Sequence, residues 1–313
     1  MLRCLMNGLK QIVIFLIVQL FFIENSCAQI NLVKNSSFED TIKCPDVWGY
    51  LDPYVYYWND PTGCTSDYYN SCASYGTGCS VPANAPDMFQ YPMTGNAYCG
   101  VYAYAQYGLV RDYVQGQLSD SMIAGEKYII SFHVSLANIS RYGVNSFGAY
   151  LSKDSVSGTG CNNLPYSPQI FNSPFTFLKD TLGWMEISDD YTAIGGEKYI
   201  TIGNFSNDAD TDTLLFNNSP FGTAKIAYYY IDDVSVIKEF NIPTLIGGDN
   251  IFQINGLPEG CILHLYNSLG QIVYRNSSYN NDFNSIHVRS GIYYYHIELP
   301  NKEVYKGKLC IIY

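Results

Sequence analysis

The sequence predicts an all-β protein built as one β-sandwich followed by a second, smaller one. Three observations predict it: short runs in which apolar and polar residues alternate, turn formers between them, and no sustained helical periodicity. The clearest run begins at Tyr128, where Tyr128, Ile130, Phe132, Val134 and Leu136 are apolar and Ser131, His133 and Ser135 lie between them. A period of two places one set on a core and the other on the opposite face. Further strands are expected at Gly100–Gln106, Ser146–Ser152, Lys198–Phe205 and Ala224–Ile237. In the last 65 or so residues they are expected at Ile251–Ile254, Cys261–Tyr266, Gln271–Tyr274, Ser285–His287, Gly291–Leu299 and Val304–Ile312. The run Ile123-Ala-Gly-Glu-Lys-Tyr-Ile recurs as Ile194-Gly-Gly-Glu-Lys-Tyr-Ile, which reads as two strands entered through the same glycine turn.

The chain begins with Arg3 and Lys10, then the apolar run Ile12–Ile23, then Ser26-Cys27-Ala28. A basic end, a short apolar core and a small-x-small site are what signal peptidase reads, so residues 1–28 are expected to be a cleaved signal peptide. These twelve residues, broken only by Gln19, rise only about 18 Å as a helix, short of a bilayer core. Removal of two cations, Arg3 and Lys10, and one anion, Glu24, takes the formal charge from −11 to −12. An acidic chain with no basic cluster argues against nucleic acid as a partner. Charged residues are only 14%, against roughly 25% in an average protein, and Tyr, Asn, Ser and Gly take their place.

Ten cysteines become eight after cleavage, an even count that suggests disulfides in an exported chain. Cys64, Cys72, Cys79 and Cys99 are expected to staple a long loop region, with connectivity left open. Cys261 and Cys310 are candidates for a pair or for two buried thiols. A boundary is expected near residues 240–250, where Asn241-Ile-Pro243 and Gly247-Gly248-Asp249-Asn250 interrupt the pattern.

Three segments at the end carry a family resemblance: Leu263-His-Leu-Tyr-Asn-Ser-Leu-Gly-Gln-Ile-Val-Tyr274, Ser290-Gly-Ile-Tyr-Tyr-Tyr-His-Ile297, and Tyr305-Lys-Gly-Lys-Leu-Cys-Ile-Ile312. Their order resembles the type A sorting domain of the type IX secretion system. The resemblance implies an address read by the type IX secretion machinery, and hence a secreted or outer-surface protein. Nearer the start, Asn31-Leu-Val-Lys-Asn-Ser-Ser-Phe-Glu39 and Tyr228-Tyr-Tyr-Ile-Asp-Asp-Val-Ser-Val236 resemble the ends of galactose-binding-like, carbohydrate-binding jelly rolls. The expected fold is therefore a jelly-roll β-sandwich over 29–239, a linker over 240–250, and a small immunoglobulin-like β-sandwich over 251–313.

First and last strands are neighbours in such jelly rolls, so the resemblance implies that Glu39, Asp232 and Asp233 meet at a structural calcium ion. Hard oxygen ligands suit that ion. Solvated turn acids are the alternative. The 30 tyrosines raise a second expectation, because sugar rings stack their C–H faces on flat aromatic rings while amides and carboxylates bind the hydroxyls. Trp58, Tyr69, Tyr102 and Tyr104, with Asn59, Asp60, Asp67, Asn70 and Gln106 nearby in sequence, are the glycan-binding candidates. Aromatics in a sandwich also serve as core, so both readings stay open. No catalytic motif stands out, although adjacent carboxylates such as Asp189-Asp190 leave a hydrolase conceivable. The sequence thus reads as a secreted surface-binding protein for polysaccharide or surface glycan, with a structural or adhesive protein as the alternative and an unrecognised hydrolase third.

Overall fold

The computed structural model describes residues 30–84, 87–108, 110–215, 225–240, 242–247, 251–254, 256–300, 302 and 304–312. The signal peptide expected over 1–28 lies outside the described residues. The chain divides into two compact units that meet in sequence between Glu239 and Phe240.

Among the described residues, the first unit, Asn31–Glu239, holds twelve strands. These are β1 (Trp58–Asn59), β2 (Asp67–Asn70), β3 (Ala97–Ala105), β4 (Tyr113–Gln117), β5 (Lys127–Leu136), β6 (Tyr142–Val144), β7 (Gly148–Ser152), β8 (Ile170–Phe171), β9 (Met185–Thr192), β10 (Tyr199–Gly203), β11 (Thr213–Leu215) and β12 (Ile226–Lys238). One five-stranded sheet has the order β2-β3-β12-β5-β9 and the other β1-β4-β10-β7-β8, while β6 and β11 form a separate ribbon. All pairings are antiparallel. From β3 onward the chain crosses repeatedly between the two sheets, with β7 and β8 paired as neighbours in the same one.

Alternation along each strand builds the core between the sheets. Val101, Ala103, Phe132, Val134 and Ile231 from one sheet share a buried cluster with Val114, Ala149, Leu151, Ile200 and Ile202 from the other. Each such aliphatic or aromatic side chain contributes about 1.5–3 kcal/mol on burial. The amino-terminal segment straps both sheets, bridging Asn31 to Ile237 and Val33 to Leu118. The amide of Asn31 donates to the carbonyl of Val234 and accepts from the N–H groups of Val33 and Val236. The two echoed segments do enter strands through left-handed glycines, Gly125 (φ +79°) before β5 and Gly196 (φ +92°) before β10.

Both outer faces carry a second layer. On the β3–β12 face, Tyr69, Tyr98, Tyr228 and Tyr230 are buried with Met88, and Val81 packs on them. Asn84 fixes this roof by donating to the Tyr98 hydroxyl and accepting from that of Tyr230. On the opposite face Tyr113 clusters with Val156, Leu164 and Phe205.

Disulfides join Cys44 to Cys72 and Cys64 to Cys161, while Cys79 and Cys99 are buried free thiols. The expectation that all four cysteines between 64 and 99 act as staples is therefore corrected. Cys79 and Cys99 are enclosed as apolar packing, and burial pushes the Cys79 thiol up to about 11.

In the second unit β13 (Leu245–Gly247), β15 (Cys261–Asn267), β16 (Ile272–Tyr279), β18 (Gly291–Glu298) and β19 (Val304–Ile312) form a sheet of order β13-β19-β18-β15-β16. Its inner face packs on a ribbon of β14 (Ile251–Phe252) and β17 (Phe283–Asn284), with Phe252 5.8 Å from Tyr295 between ring centroids. Part of the expected linker is sheet, because β13 pairs in parallel with β19. The strand expected at Ser285–His287 is a single 3₁₀ turn, capped by the Asn284 side chain accepting from the N–H of Ile286. Cys261 and Cys310 are free. Cys310 is registered with Ile292 at the start of β18, and Cys261 lies beyond the Ile262–Glu298 pair at its other end. Roughly 20 Å of strand separates those ends, so the proposed pair cannot form.

Candidate ligand-binding site

Two of the four aromatic candidates are core. Trp58 is 2% exposed, its ring stands 4.6 Å from that of Phe38, and its indole N–H donates to the Asn35 carbonyl. It lies so close to Gly116 that a β-carbon there would sit 2.7 Å from the ring. Tyr69 is 1% exposed under the roof and shares a hydrogen bond of 2.8 Å with the Tyr228 hydroxyl. Neither can stack on a sugar. Tyr102 and Tyr104 are half-buried. Tyr102 meets Tyr228 edge-on, and Tyr104 lies between Tyr142 and the buried guanidinium of Arg111. Asp189 and Asp190 stand exposed on β9, where Asp190 pairs with Lys127 at 2.6 Å.

Exposed aromatics are found on, among other places, two segments tied together by Cys44–Cys72. The first segment carries Trp48 and Tyr50, each 59% exposed. Between them Gly49 adopts φ +87°, open to glycine and strained for other residues. Its N–H donates to Asp67, a buried carboxylate that also accepts from the Tyr228 hydroxyl. Burial pushes Asp67 up to about 6, while these hydrogen bonds pull it the other way. Exposed carboxylates of Asp46 and Asp52 flank the pair. The second segment carries Tyr75, 96% exposed, and Phe89, which border a cleft of ≈490 Å³. The amides of that cleft are engaged: Asn138 donates to the Asp87 carbonyl and accepts from the Phe89 N–H. Sequence periodicity missed both segments because loops have none. The only available signal was Trp48-Gly-Tyr50 set among Pro45, Asp46, Asp52 and Pro53.

The three carboxylates expected at a metal converge on one turn, Met93–Ala97. Glu39 accepts from the N–H groups of Asn96 (2.7 Å) and Ala97 (2.9 Å), and a side chain on Gly95 would collide with it. Asp232, fully buried, accepts from the N–H groups of Met93 (2.9 Å) and Thr94 (3.3 Å), and Asp233 from the Thr94 hydroxyl (2.6 Å). Both aspartates sit at the β12 bulge, where Asp233 has φ +47°. Burial, then the neighbouring Asp233 charge, pushes Asp232 up to about 8. The donor set is all oxygen. Among the described residues, the one trio of metal-binding side chains whose ligand atoms all lie within 4.8 Å of one another is Cys64, Asp112 and Cys161. Its sulfurs are spent in a disulfide. Glu39, Asp232 and Asp233 share a turn, and their oxygens would have to draw closer together to share one coordination shell.

The described residues thus form an all-β unit with aromatic loops, followed in sequence by a smaller β unit. Residues 237–312 match the family model of the CHU_C Type IX secretion signal domain, which begins before the expected boundary and takes in β13. The chain carries that export domain, so it is exported by the type IX system and is secreted or attached to the cell surface. No curated protein matches the chain. Among solved structures, the adhesin domain of Epf from Streptococcus pyogenes aligns with 91% of this chain and 98% of its own at 9% identity and a TM-score of 0.33. The K3 cleaved adhesin domain of Lys-gingipain from Porphyromonas gingivalis aligns with 66% of this chain and 96% of its own (12% identity, TM-score 0.30). A putative sugar binding protein from Bacteroides thetaiotaomicron aligns with 67% of this chain and 100% of its own (10% identity, TM-score 0.30).

Proposed function

We propose that the first unit is a glycan-binding jelly roll whose platform is Trp48 and Tyr50. The strand orders β3-β12-β5-β9 and β4-β10-β7-β8, with the chain crossing repeatedly between sheets, support the jelly-roll reading. The observation that carries the glycan reading is the anchoring of the aromatic pair. Two large rings face solvent on a segment held at its centre by a buried carboxylate and near its start by a disulfide. A surface fixed in this way loses little conformational freedom when it binds. Asp46 and Asp52 beside it supply hydroxyl acceptors, and the acidic chain disfavours anionic polysaccharide, so neutral glycan is the ligand class. Trp48→Ala with Tyr50→Ala should abolish binding on an array of neutral glycans while the melting temperature stays put. Unchanged binding would sink this reading. Parallel substitution of Tyr75 and Phe89 tests whether the ≈490 Å³ cleft takes the ligand instead.

We also propose calcium as the cation of Glu39, Asp232 and Asp233. Support comes from the hard-oxygen donor set and from two adjacent aspartates, one fully buried, that a cation would relieve. Glu39 and Asp232 hold the Met93–Ala97 turn from its two ends, and a bound ion would supply positive charge between them. Calcium should raise the melting temperature of wild type, and Glu39→Gln should remove the increase. Melting curves identical in calcium and in EGTA would refute the assignment.

A further inference from the structure

The inner face of the second unit's main sheet is apolar, with Leu263, Leu265, Tyr295, Ile297 and Leu309 buried. Its outer face is organised in rows, because residues registered across antiparallel strands point to the same side. One row runs Arg275–His264–His296–Lys306 across β16, β15, β18 and β19. At about 4.8 Å per strand it spans about 14 Å. The adjacent row runs Ile272–Tyr266–Tyr294–Lys308, with Ile272 55% and Tyr294 48% exposed.

This face is basic on a chain of net charge −11. Arg275, Lys306 and Lys308 are exposed, and among the described residues none of them enters an ion pair. Among the described residues, a carboxylate on the same side, Glu298, is taken by Lys302 at 3.0 Å. The rings of His264 and His296 lie 5.8 Å apart, and the Nε2 of His264 is buried without a hydrogen-bond partner. Burial, Lys306 and His264 together hold His296 below its ordinary value, as an electropositive surrounding should. Solvent faces of small sheets usually mix charges of both signs. Here one cationic row lies beside one aromatic and aliphatic row.

We infer that this face is the surface through which the type IX machinery reads the export domain, by docking a polypeptide segment that combines acidic with apolar side chains. The inference rests on the assignment of residues 237–312 as a type IX secretion signal domain. Charge complementarity requires an acidic partner. The apolar row favours polypeptide over phosphate or lipid headgroup, which would engage the cations and leave Ile272, Tyr266 and Tyr294 uncovered.

The test is secretion of the full-length protein from a host with a type IX system and from the same host lacking it. The triple variant Arg275→Glu, Lys306→Glu, Lys308→Glu should fall in secreted yield by at least about tenfold, because opposed charges at an interface become like charges. Replacement of all three by Gln should give an intermediate loss, and the purified variants should melt like wild type. If the reversed triple does not fold, Lys308→Glu alone and Tyr266→Ser with Tyr294→Ser take its place. Wild-type secretion by folded variants overturns the docking surface. Normal secretion combined with lost binding to anionic vesicles overturns it in favour of a lipid partner. Wild-type protein secreted equally by the deficient host would instead overturn the export assignment on which the inference rests.

Discussion

Asp67, Asp112 and Asp232 are carboxylates enclosed by the first unit, and each is pushed up mainly by burial, to about 6, 7 and 8 respectively. All three accept hydrogen bonds from N–H or hydroxyl groups, so they are satisfied in geometry but costly as charges. A carboxyl whose folded value is raised binds more protons in the native state than in the unfolded one. Its contribution is complete below its ordinary value of 3.8 and is lost as pH rises through the folded value. The melting temperature should therefore fall as pH is raised from about 4.5 to about 8, most steeply between about 4.5 and 6, where all three native carboxyls hold a proton that the unfolded chain has lost. Calorimetry across that range checks it, and a flat or rising profile would count against these assignments. Calcium, if it binds beside Asp232, should flatten the upper part of the decline.

At the scale of elements, the period-two pattern of Tyr128–Leu136 was legible because one of its two faces is plainly apolar. Strand β3 was less so. Val101 and Ala103 face the inter-sheet core while Tyr98, Tyr102 and Tyr104 face outward, yet the outward side is itself roofed. A sequence shows that two faces exist but not that a later segment will cover the second, which is why Tyr69 looked available as a platform. Trp58 misled for a related reason: its neighbours Asn59 and Asp60 are polar, and nothing local reveals that Gly116 leaves room for the indole ring. The roof and the aromatic segment depend on the Cys44–Cys72 tie, which closes a loop of 28 residues. Replacing both cysteines by Ser should cost about 3.5 kcal/mol by the loop-entropy argument. Faster proteolysis within residues 45–57 and weaker glycan binding should accompany it; intact affinity would show that Asp67 alone suffices to hold Trp48 and Tyr50.

Over the whole molecule, the sequence made the all-β class and the carboxy-terminal export domain visible, since both rest on patterns spread over many residues. The meeting of Glu39 with the Asp232-Asp233 pair at a common turn was visible only through a family resemblance, because 193 positions separate Glu39 from Asp232. The exposed Trp48–Tyr50 pair and the cationic row were not visible. Each is created by long-range register or by a distant buried carboxylate. The acidic balance of the chain as a whole concealed a local basic face of the second unit.

The place of β12 has a temporal consequence. It is the last strand of the first unit in sequence but lies between β3 and β5 in its sheet. A chain delivered from its amino-terminus has no filled middle for that sheet until residue 238 has emerged, and Asn31 has no partner to strap before then. Non-local closure of this kind is slow. The larger sheet of the first unit is thus completed only as the export domain that follows it in sequence begins to emerge.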